Sequence, residues 1–400
     1  MSTQAPIVIV GAGHSGAKAA AALRKHGWQG GIVLIGEEAQ APYDRPPLSK
    51  AVLLGKKLAD QCLFYPQQWY QDQGVDLLLQ ARATAVDRHN FEVVVGGGRR
   101  IAYHRLLLAT GARHRQLQVP GSDLHGVWPL RTPEHANAIA RALQPQGKVV
   151  VVGAGVIGLE VAAAATELHC NVVVLEAADR AMGRSLPVEA SAALLKAHRA
   201  RGVDVRLSVR VMAIEGDGHV RQVRLSTGET IGCSVVVHGL GVQPNIELAQ
   251  QAGLATADGI RTDWTLRTAD ERIFACGDAC EYDSTLYGRP LRLENWRNAE
   301  DQADLVARNM LGEALPYNEV PWFWSNQFDL SIQMAGLHTA SDRVEVEQVG
   351  ASSLFRSLGC EGAVRAVCGI GAVRDVALPV RNARASIRAR LATDRPAIAA

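Results

Sequence analysis

The chain has no long apolar run and no excess of one charge, and its seven cysteines form no C-x-x-C or C-x-x-x-x-C pair. Without such a run, no segment reaches the roughly 18–20 apolar residues of a membrane-spanning helix. With 42 basic and 40 acidic residues the net charge is +2, too small for a protein built to follow a nucleic-acid backbone. An odd number of cysteines without regular spacing offers no disulfide framework and points to a reducing, cytoplasmic setting. The twelve histidines and seven cysteines never gather at zinc or iron–sulfur spacing, so the sequence offers no metal site. The first apolar run, Ile7–Val10, is far shorter than a signal-peptide core and reads as a strand.

What is present is a repeat. At 400 residues the chain suits two or three domains of roughly 150 residues each. Ile7-Val8-Ile9-Val10 runs into Gly11-Ala12-Gly13-His14-Ser15-Gly16 and an alanine-rich stretch. Val149-Val150-Val151-Val152 runs into Gly153-Ala154-Gly155-Val156-Ile157-Gly158 and a second such stretch. Each copy returns to an apolar strand that ends on an acid, Glu37 or Glu176, about 20 residues beyond the glycines. A lone G-x-G-x-x-G is weak evidence, but here strand, glycines, helix and acid occur together twice. The first glycine of each set allows a tight turn, the second admits a pyrophosphate, and the third lets helix pack on strand. The helix N-terminus then favours the phosphate charge. Arg105–Gly111 and Val235–Gly241 mark where a later strand of each unit enters a turn, and Ile273–Asp278 is a further strand stopping at Gly277-Asp278. From about Tyr317 the texture changes to tryptophan-rich alternation, strand-like runs at Arg343–Val349 and Ala363–Ile370, and a helix over Arg381–Arg390.

Two dinucleotide sites imply two dinucleotides, and FAD with NAD(P)H is the economical pair. Nicotinamide gives hydride, whereas a flavin passes electrons on singly. Chain order favours FAD on the first fingerprint, with Asp278 returning to accept from its ribityl hydroxyls or to order water on its pyrophosphate; a plain Asx turn is the alternative. Glu176 selects NADH. Its hydrogen bond to a ribose 2′-hydroxyl contributes roughly 1.5–3 kcal/mol. A 2′-phosphate at 4 Å would meet repulsion of ~4 kcal/mol at an effective dielectric near 20. Arg180 and Arg184 follow closely and either moderate this or bind the pyrophosphate or adenine.

Ala41-Pro42-Tyr43-Asp44-Arg45-Pro46-Pro47-Leu48-Ser49-Lys50 follows from no composition rule. Together with Leu108-Ala109-Thr110-Gly111, Leu293-Glu294-Asn295-Trp296 and Pro321-Trp322-Phe323-Trp324-Ser325-Asn326-Gln327-Phe328, it resembles the oxygenase-coupled ferredoxin reductases. These are the NADH- and FAD-dependent reductases of Rieske aromatic-ring dioxygenases and of bacterial cytochrome P450 systems. The resemblance runs from Ile7 to about Leu378. It implies an α/β fold with two Rossmann-type dinucleotide-binding domains of glutathione-reductase type. An FAD domain (residues 1–112 and 243–316) would be interrupted by an NAD domain (113–242) and followed by a C-terminal α+β interface domain (317–400).

Carried over by position, the resemblance places Ser15, Glu37, Arg45, Lys50, Ala83, Arg131, Asp278 and Trp296 around FAD. The turns at Ala109-Thr110-Gly111, Gly277 and Glu294-Asn295 join them. Val156, Ile157, Glu176, Arg184 and Gly241 would serve NAD beside the second glycine set. Lys50 is expected near flavin N5, paired as a buried lysine with Glu160. Trp322 and Trp324 face one side of a strand; Trp324 is taken as partner-facing, and a packed core strand is the alternative. The Arg381, Arg384, Arg388 and Arg390 face either attracts an acidic partner or is solvated. No cysteine lies between Glu37 and Lys50, where disulfide-reducing relatives carry theirs, and Cys360 and Cys368 read as small core residues.

The implied activity is hydride transfer from NADH to FAD, followed by delivery of single electrons to a [2Fe–2S] ferredoxin. The Rieske type is favoured for that ferredoxin, and a terminal aromatic-ring dioxygenase is its consumer. A P450 ferredoxin, a stand-alone NADH oxidase, or a flavoprotein used for redox-linked binding are the other readings. The protein is expected to be cytoplasmic, a monomer or weak homodimer, and to bind neither membrane nor nucleic acid.

Overall fold

The computed structural model describes residues 5–393. Short strands of consecutive β-branched and leucine residues bury both faces, which places them inside parallel sheets covered by helices. Ile7–Val10 is the central strand of the first such sheet. Ile32–Ile35 and Arg105–Leu108 flank it, with Val75–Leu78 and Ile273–Ala275 at the edges, all parallel. Lys148–Val152 holds the same place in a second parallel sheet. Asn171–Leu175 and Val235–His238 are its neighbours, and Asp204–Arg206 and Val127–Pro129 lie outside them. The sequence repeat is therefore a repeat of topology. One difference separates the copies: the first sheet recruits its last strand from far downstream, the second from just upstream.

Each parallel sheet carries a three-stranded antiparallel annex, Ala83–Asp87 with Glu92–Val95 and Arg99–Ala102, and Val211–Asp217 with His219–Leu225 and Thr230–Gly232. The chain leaves the first unit on Ala112–His114 and returns on Val242–Pro244, and these two segments pair as an antiparallel ribbon. Thr110 Oγ1 donates to the Asn245 carbonyl at 2.7 Å, and Asn245 Nδ2 donates to the Thr110 carbonyl at 2.9 Å. Outward and return crossings are thus tied at one point.

The last part is a five-stranded antiparallel sheet in the order Trp322–Gln327, Leu330–Gly336, Val364–Gly371, Ser352–Leu358, Arg343–Val349. The closing helix spans Val373–Thr393, beginning well before the expected Arg381. Pro379 lies inside it; buried Val376 and Val380 pack on Ala335, Leu354 and Val367 and hold the helix through the proline. Cys360 is exposed rather than a core residue, because it falls in the turn between two strands; Cys368 is buried. Among the described residues no helix is long and apolar enough to cross a membrane.

The segment Tyr43–Lys50 is held from both sides. Pro46–Ser49 forms a 3-10 turn, and Tyr43, Leu48 and Val52 share a core with Leu159 and Ala162 of the second unit and Ile332 and Met334 of the C-terminal sheet. Residues from all three parts meet there.

Candidate functional site

A single cleft of about 2320 Å³ runs between the two parallel sheets. Pockets for one small ligand span roughly 300–1,000 Å³, so this space suits more than one. Every residue singled out from the sequence as a site residue lines it except Gly16 and Gly158.

Those two exceptions follow from the glycine geometry. A Cβ on Gly16 would stand 1.9 Å from the Gly11 carbonyl oxygen, and one on Gly158 would stand 2.0 Å from that of Gly153. The third glycine of each set is therefore consumed by packing helix against strand. Gly11 and Gly153 have φ of +117° and +102°, and a Cβ on either would strike the carbonyl of Ala109 or Gly239. The middle glycines differ. A Cβ on Gly13 would meet nothing within 4 Å, and one on Gly155 only the Gly239 oxygen at 3.9 Å. Neither following helix, His14–Lys25 or Val156–Glu167, has a side-chain cap or an acid in its first turn. Two sets of unshielded N–H groups thus face open space, and the residues present fit a dinucleotide pyrophosphate at each loop.

The two acids differ. Glu37 is 68% exposed and meets Arg82 at 3.3 Å. Glu176 accepts from the Ala154 N–H at 2.7 Å and the Ala178 N–H at 2.9 Å, so its carboxylate is pinned between the glycine loop and the turn beyond its strand. Of the two nearby cations, Arg180 is occupied by the Gly183 carbonyl at 2.9 Å. Arg184 lies over Gly241, where a Cβ would stand 3.1 Å from its Nη2.

Arg45 is fastened by neighbours that sequence reasoning did not single out. Its Nη2 donates to Glu38 Oε1 at 2.8 Å and its Nη1 to the Tyr43 hydroxyl at 2.7 Å, while Tyr43 donates to Glu38 Oε2 at 2.6 Å. Burial opposes the Arg45 charge, but Tyr43 and Glu38 outweigh it and hold the guanidinium above its ordinary pKa. Arg131 is bound to the Ala112 carbonyl and stands 3.8 Å from Asp278. Burial pushes the Asp278 carboxyl up against the pull of Arg131. Gly277, at φ +74°, sits on Ser15, and its N–H donates to Gln302 Oε1 at 2.7 Å. Asp278 therefore returns to the first glycine loop, where chain order put it.

Lys50 Nζ lies 2.7 Å from Glu160 Oε1. The buried member is the acid: Glu160 is 4% exposed, while Lys50, expected to be buried, is 23% exposed because its ammonium opens on the cleft. Ser49 and Ser325 hydroxyls also donate to the Glu160 carboxylate. Asn295 caps the helix Trp296–Met310, fixing Trp296, whose indole N–H donates to Asp44 at 2.8 Å. Aromatic rings then run in series. His14 stacks on Phe64 and tilts against Trp296 at 4.8 Å, Trp296 meets Trp324 edge-on at 5.4 Å, and Trp322 stacks on Trp324 at 5.2 Å. Trp324 lines the cleft and Trp322 lies beyond it. Burial lowers the His14 pKa to about 4, so the ring in this series is neutral. Of the four arginines singled out on the last helix, Arg384 and Arg388 pair with Glu319 at 3.0 and 3.1 Å and Arg390 donates to the Val364 carbonyl, while Arg381 and much of Arg388 are exposed.

Sequence reasoning missed Glu38, Ser49, Asp44 and Gln302. Asp44 and Ser49 stand inside the unusual Tyr43–Lys50 segment, a signal that the stretch matters without saying which atoms do. Nothing separates Glu38 from Glu37 except the way the chain turns.

Comparison with known proteins agrees with this geometry. The family described as pyridine nucleotide-disulphide oxidoreductase matches residues 5–303, and the reductase C-terminal family matches residues 322–399. Rhodocoxin reductase of Rhodococcus erythropolis is 42% identical over 357 residues, covering 88% of this chain and 84% of the relative. The ferredoxin–NAD(+) reductase component of the anthranilate 1,2-dioxygenase system of Burkholderia cepacia is 40% identical, covering 93% of this chain and 92% of the relative. Among solved structures, the covalent putidaredoxin reductase–putidaredoxin complex superposes with a TM-score of 0.93 at 34% identity, covering 97% of this chain and 94% of that one.

The glycine geometry separates binding from folding. Gly13→Val should leave the cofactor-free protein as heat-stable as wild type while abolishing retention of a bound flavin. Gly16→Val should lower the melting temperature of the cofactor-free protein itself, because the new methyl groups have no space. Differential scanning calorimetry with flavin absorbance on both variants checks the pair.

Proposed function

The chain belongs to the pyridine nucleotide-disulphide oxidoreductases, and we propose that it draws electrons from NADH and passes them singly to a [2Fe–2S] ferredoxin. One observation carries the reading: a single cleft receives both glycine loops, the Lys50–Glu160 pair and Trp324. FAD and NAD(H) are the cofactors of this family, and the two loops fit them. When bound, the flavin accepts an electron pair from the nicotinamide and releases it one electron at a time.

In this reading residues 1–112 and 243–316 hold FAD, 113–242 hold NAD, and 317–400 form the interface part. The Gly11–Gly16 loop with Ser15 takes the FAD pyrophosphate, Glu37 the adenosine ribose, and Arg45, Arg131 and Asp278 the chain between. The Gly153–Gly158 loop, Glu176, Arg184 and Gly241 hold the nicotinamide nucleotide. Lys50 places a positive charge in the cleft where negative charge develops, and Glu160 keeps that ammonium aimed. Such preorganised charge needs no rearrangement as the reaction proceeds.

Sulfur is an unsuitable outlet. All seven cysteines are free, and Cys276, which reaches the cleft, and its neighbour Cys280 have thiol pKa values raised by burial. They stay protonated and do not act as thiolates. The outlet that remains is the tryptophan-bearing strand, where Trp324 stands between cleft and surface. The dioxygenase-system relative supports a ferredoxin acceptor, and we assign the Rieske type feeding an aromatic-ring dioxygenase.

Three outcomes are expected. NADH should exceed NADPH in kcat/KM by at least about tenfold in steady-state assays, since a 2′-phosphate would meet the fixed Glu176 carboxylate. Lys50→Ala should retain FAD yet slow flavin reduction by NADH by roughly a hundredfold in stopped flow, the scale of losing one preorganised electrostatic contact; an unchanged rate removes Lys50 from the mechanism. NADH-dependent cytochrome c reduction should rise with a Rieske ferredoxin more than with an adrenodoxin-like one. The reverse order reassigns the partner, and fast NADH turnover in air with no ferredoxin favours an oxidase.

A further inference from the structure

Behind the Lys50–Glu160 pair runs a line of hydrogen bonds that leads away from the cleft into the protein. Ser325 Oγ donates to Glu160 Oε1 at 2.6 Å, Gln327 Nε2 donates to Ser325 Oγ at 3.0 Å, and His198 Nε2 meets Gln327 Oε1 at 2.7 Å. Glu160, Ser325, Gln327 and His198 are all buried. Every direction is forced. A carboxylate only accepts, so the single Ser325 proton goes to Glu160. Ser325 must then accept, so the Gln327 amide group donates and its carbonyl oxygen is left to accept from His198. The imidazole therefore carries its proton on Nε2, and its Nδ1 has no partner.

Three donors thus point one way, toward one carboxylate. Aligned hydrogen bonds in a low-dielectric interior polarise one another, so the far members strengthen the Ser325 contact. Burial lowers the His198 pKa and favours the neutral ring that this direction requires. The line also joins separate parts of the chain. Glu160 and His198 belong to the helices Val156–Glu167 and Val188–Ala200 of the second unit, and Ser325 and Gln327 to the strand Trp322–Gln327. The Glu160 carboxylate closes on Ser49 and Lys50 of the first unit. Within the strand, Ser325 and Gln327 alternate with Trp322 and Trp324, so one strand carries the aromatic series on one side and this relay on the other.

We propose that Ser325, Gln327 and His198 are positioning residues that fix the Glu160 carboxylate and, through it, the Lys50 ammonium in the cleft. The inference rests on the reading of that cleft as a flavin and nicotinamide site. Without the Ser325 donor Glu160 Oε2 keeps Ser49, but Oε1 keeps only the lysine, so the carboxylate is fixed on one side alone and the ammonium is held less firmly where it favours electron uptake by the flavin.

The test uses full-length, FAD-loaded protein. Ser325→Ala should cut the rate constant for flavin reduction by NADH about tenfold with NADH affinity unchanged, and should move the dye-equilibrated FAD midpoint potential to a more negative value. Gln327→Met should do the same to a smaller degree, and Ser325→Thr, which restores the hydroxyl, should recover most of the rate. Unchanged rate and potential in Ser325→Ala overturn the proposal. So does a variant that loses only melting temperature or FAD content while each bound flavin behaves as in wild type, because that outcome makes the relay a folding element. If Ser325→Ala does not fold, Gln327→Met is judged by the same two readouts. Wild-type protein that binds no FAD would instead end the underlying reading, which keeps the two failures apart.

Discussion

The Glu160 carboxylate is the contact on which the arrangement of the cleft depends. It is an acid almost out of water, met by an ammonium and two hydroxyls that come from two other parts of the chain. Removing one partner of a buried ion pair typically costs roughly 3–5 kcal/mol, because the other charge is stranded. Through Ser49, Lys50 and Ser325 the carboxylate therefore ties together the 3-10 turn of the first unit, the fingerprint helix of the second and the first strand of the C-terminal sheet. Lys50 reaches the cleft only because all three are in place.

Around that contact the two glycine loops divide their work in the same way. The first and third glycines meet carbonyl oxygens at distances no side chain would tolerate, so they build the fold; the middle glycines face empty space and are left for the proposed ligand. A motif usually read as one unit is here two kinds of position. The loops differ in their acids, one exposed at the cleft edge and one pinned by backbone amides. A pinned carboxylate cannot swing away from an added phosphate, which is the physical ground for the proposed preference for NADH.

The proposed route out of the cleft is aromatic. In a chain with only 5% aromatic residues, four rings stand in a series of contacts from His14 through Trp296 and Trp324 to Trp322. Trp296 is fixed at both ends, by the Asn295 cap beneath its helix and by Asp44 on its indole nitrogen. Arg384 and Arg388 both pair with Glu319, so part of the basic composition of the last helix serves its attachment to the segment before the C-terminal sheet.

Local pattern by itself determined the two βαβ repeats and the absence of a redox cysteine pair. Those features live in short stretches: four buried apolar residues force an inner strand, and glycine spacing follows from steric contact over a few residues. Tertiary structure alone decided the rest. Which acid takes Arg45 depends on how the chain turns over seven residues, the exposure of Cys360 on where two strands end, and the helix through Pro379 on strands packed against it. The Glu160–Ser325–Gln327–His198 line joins residues more than a hundred positions apart in places. No local period encodes such a line, because a hydrogen bond between distant side chains exists only once packing has brought its donor and acceptor together.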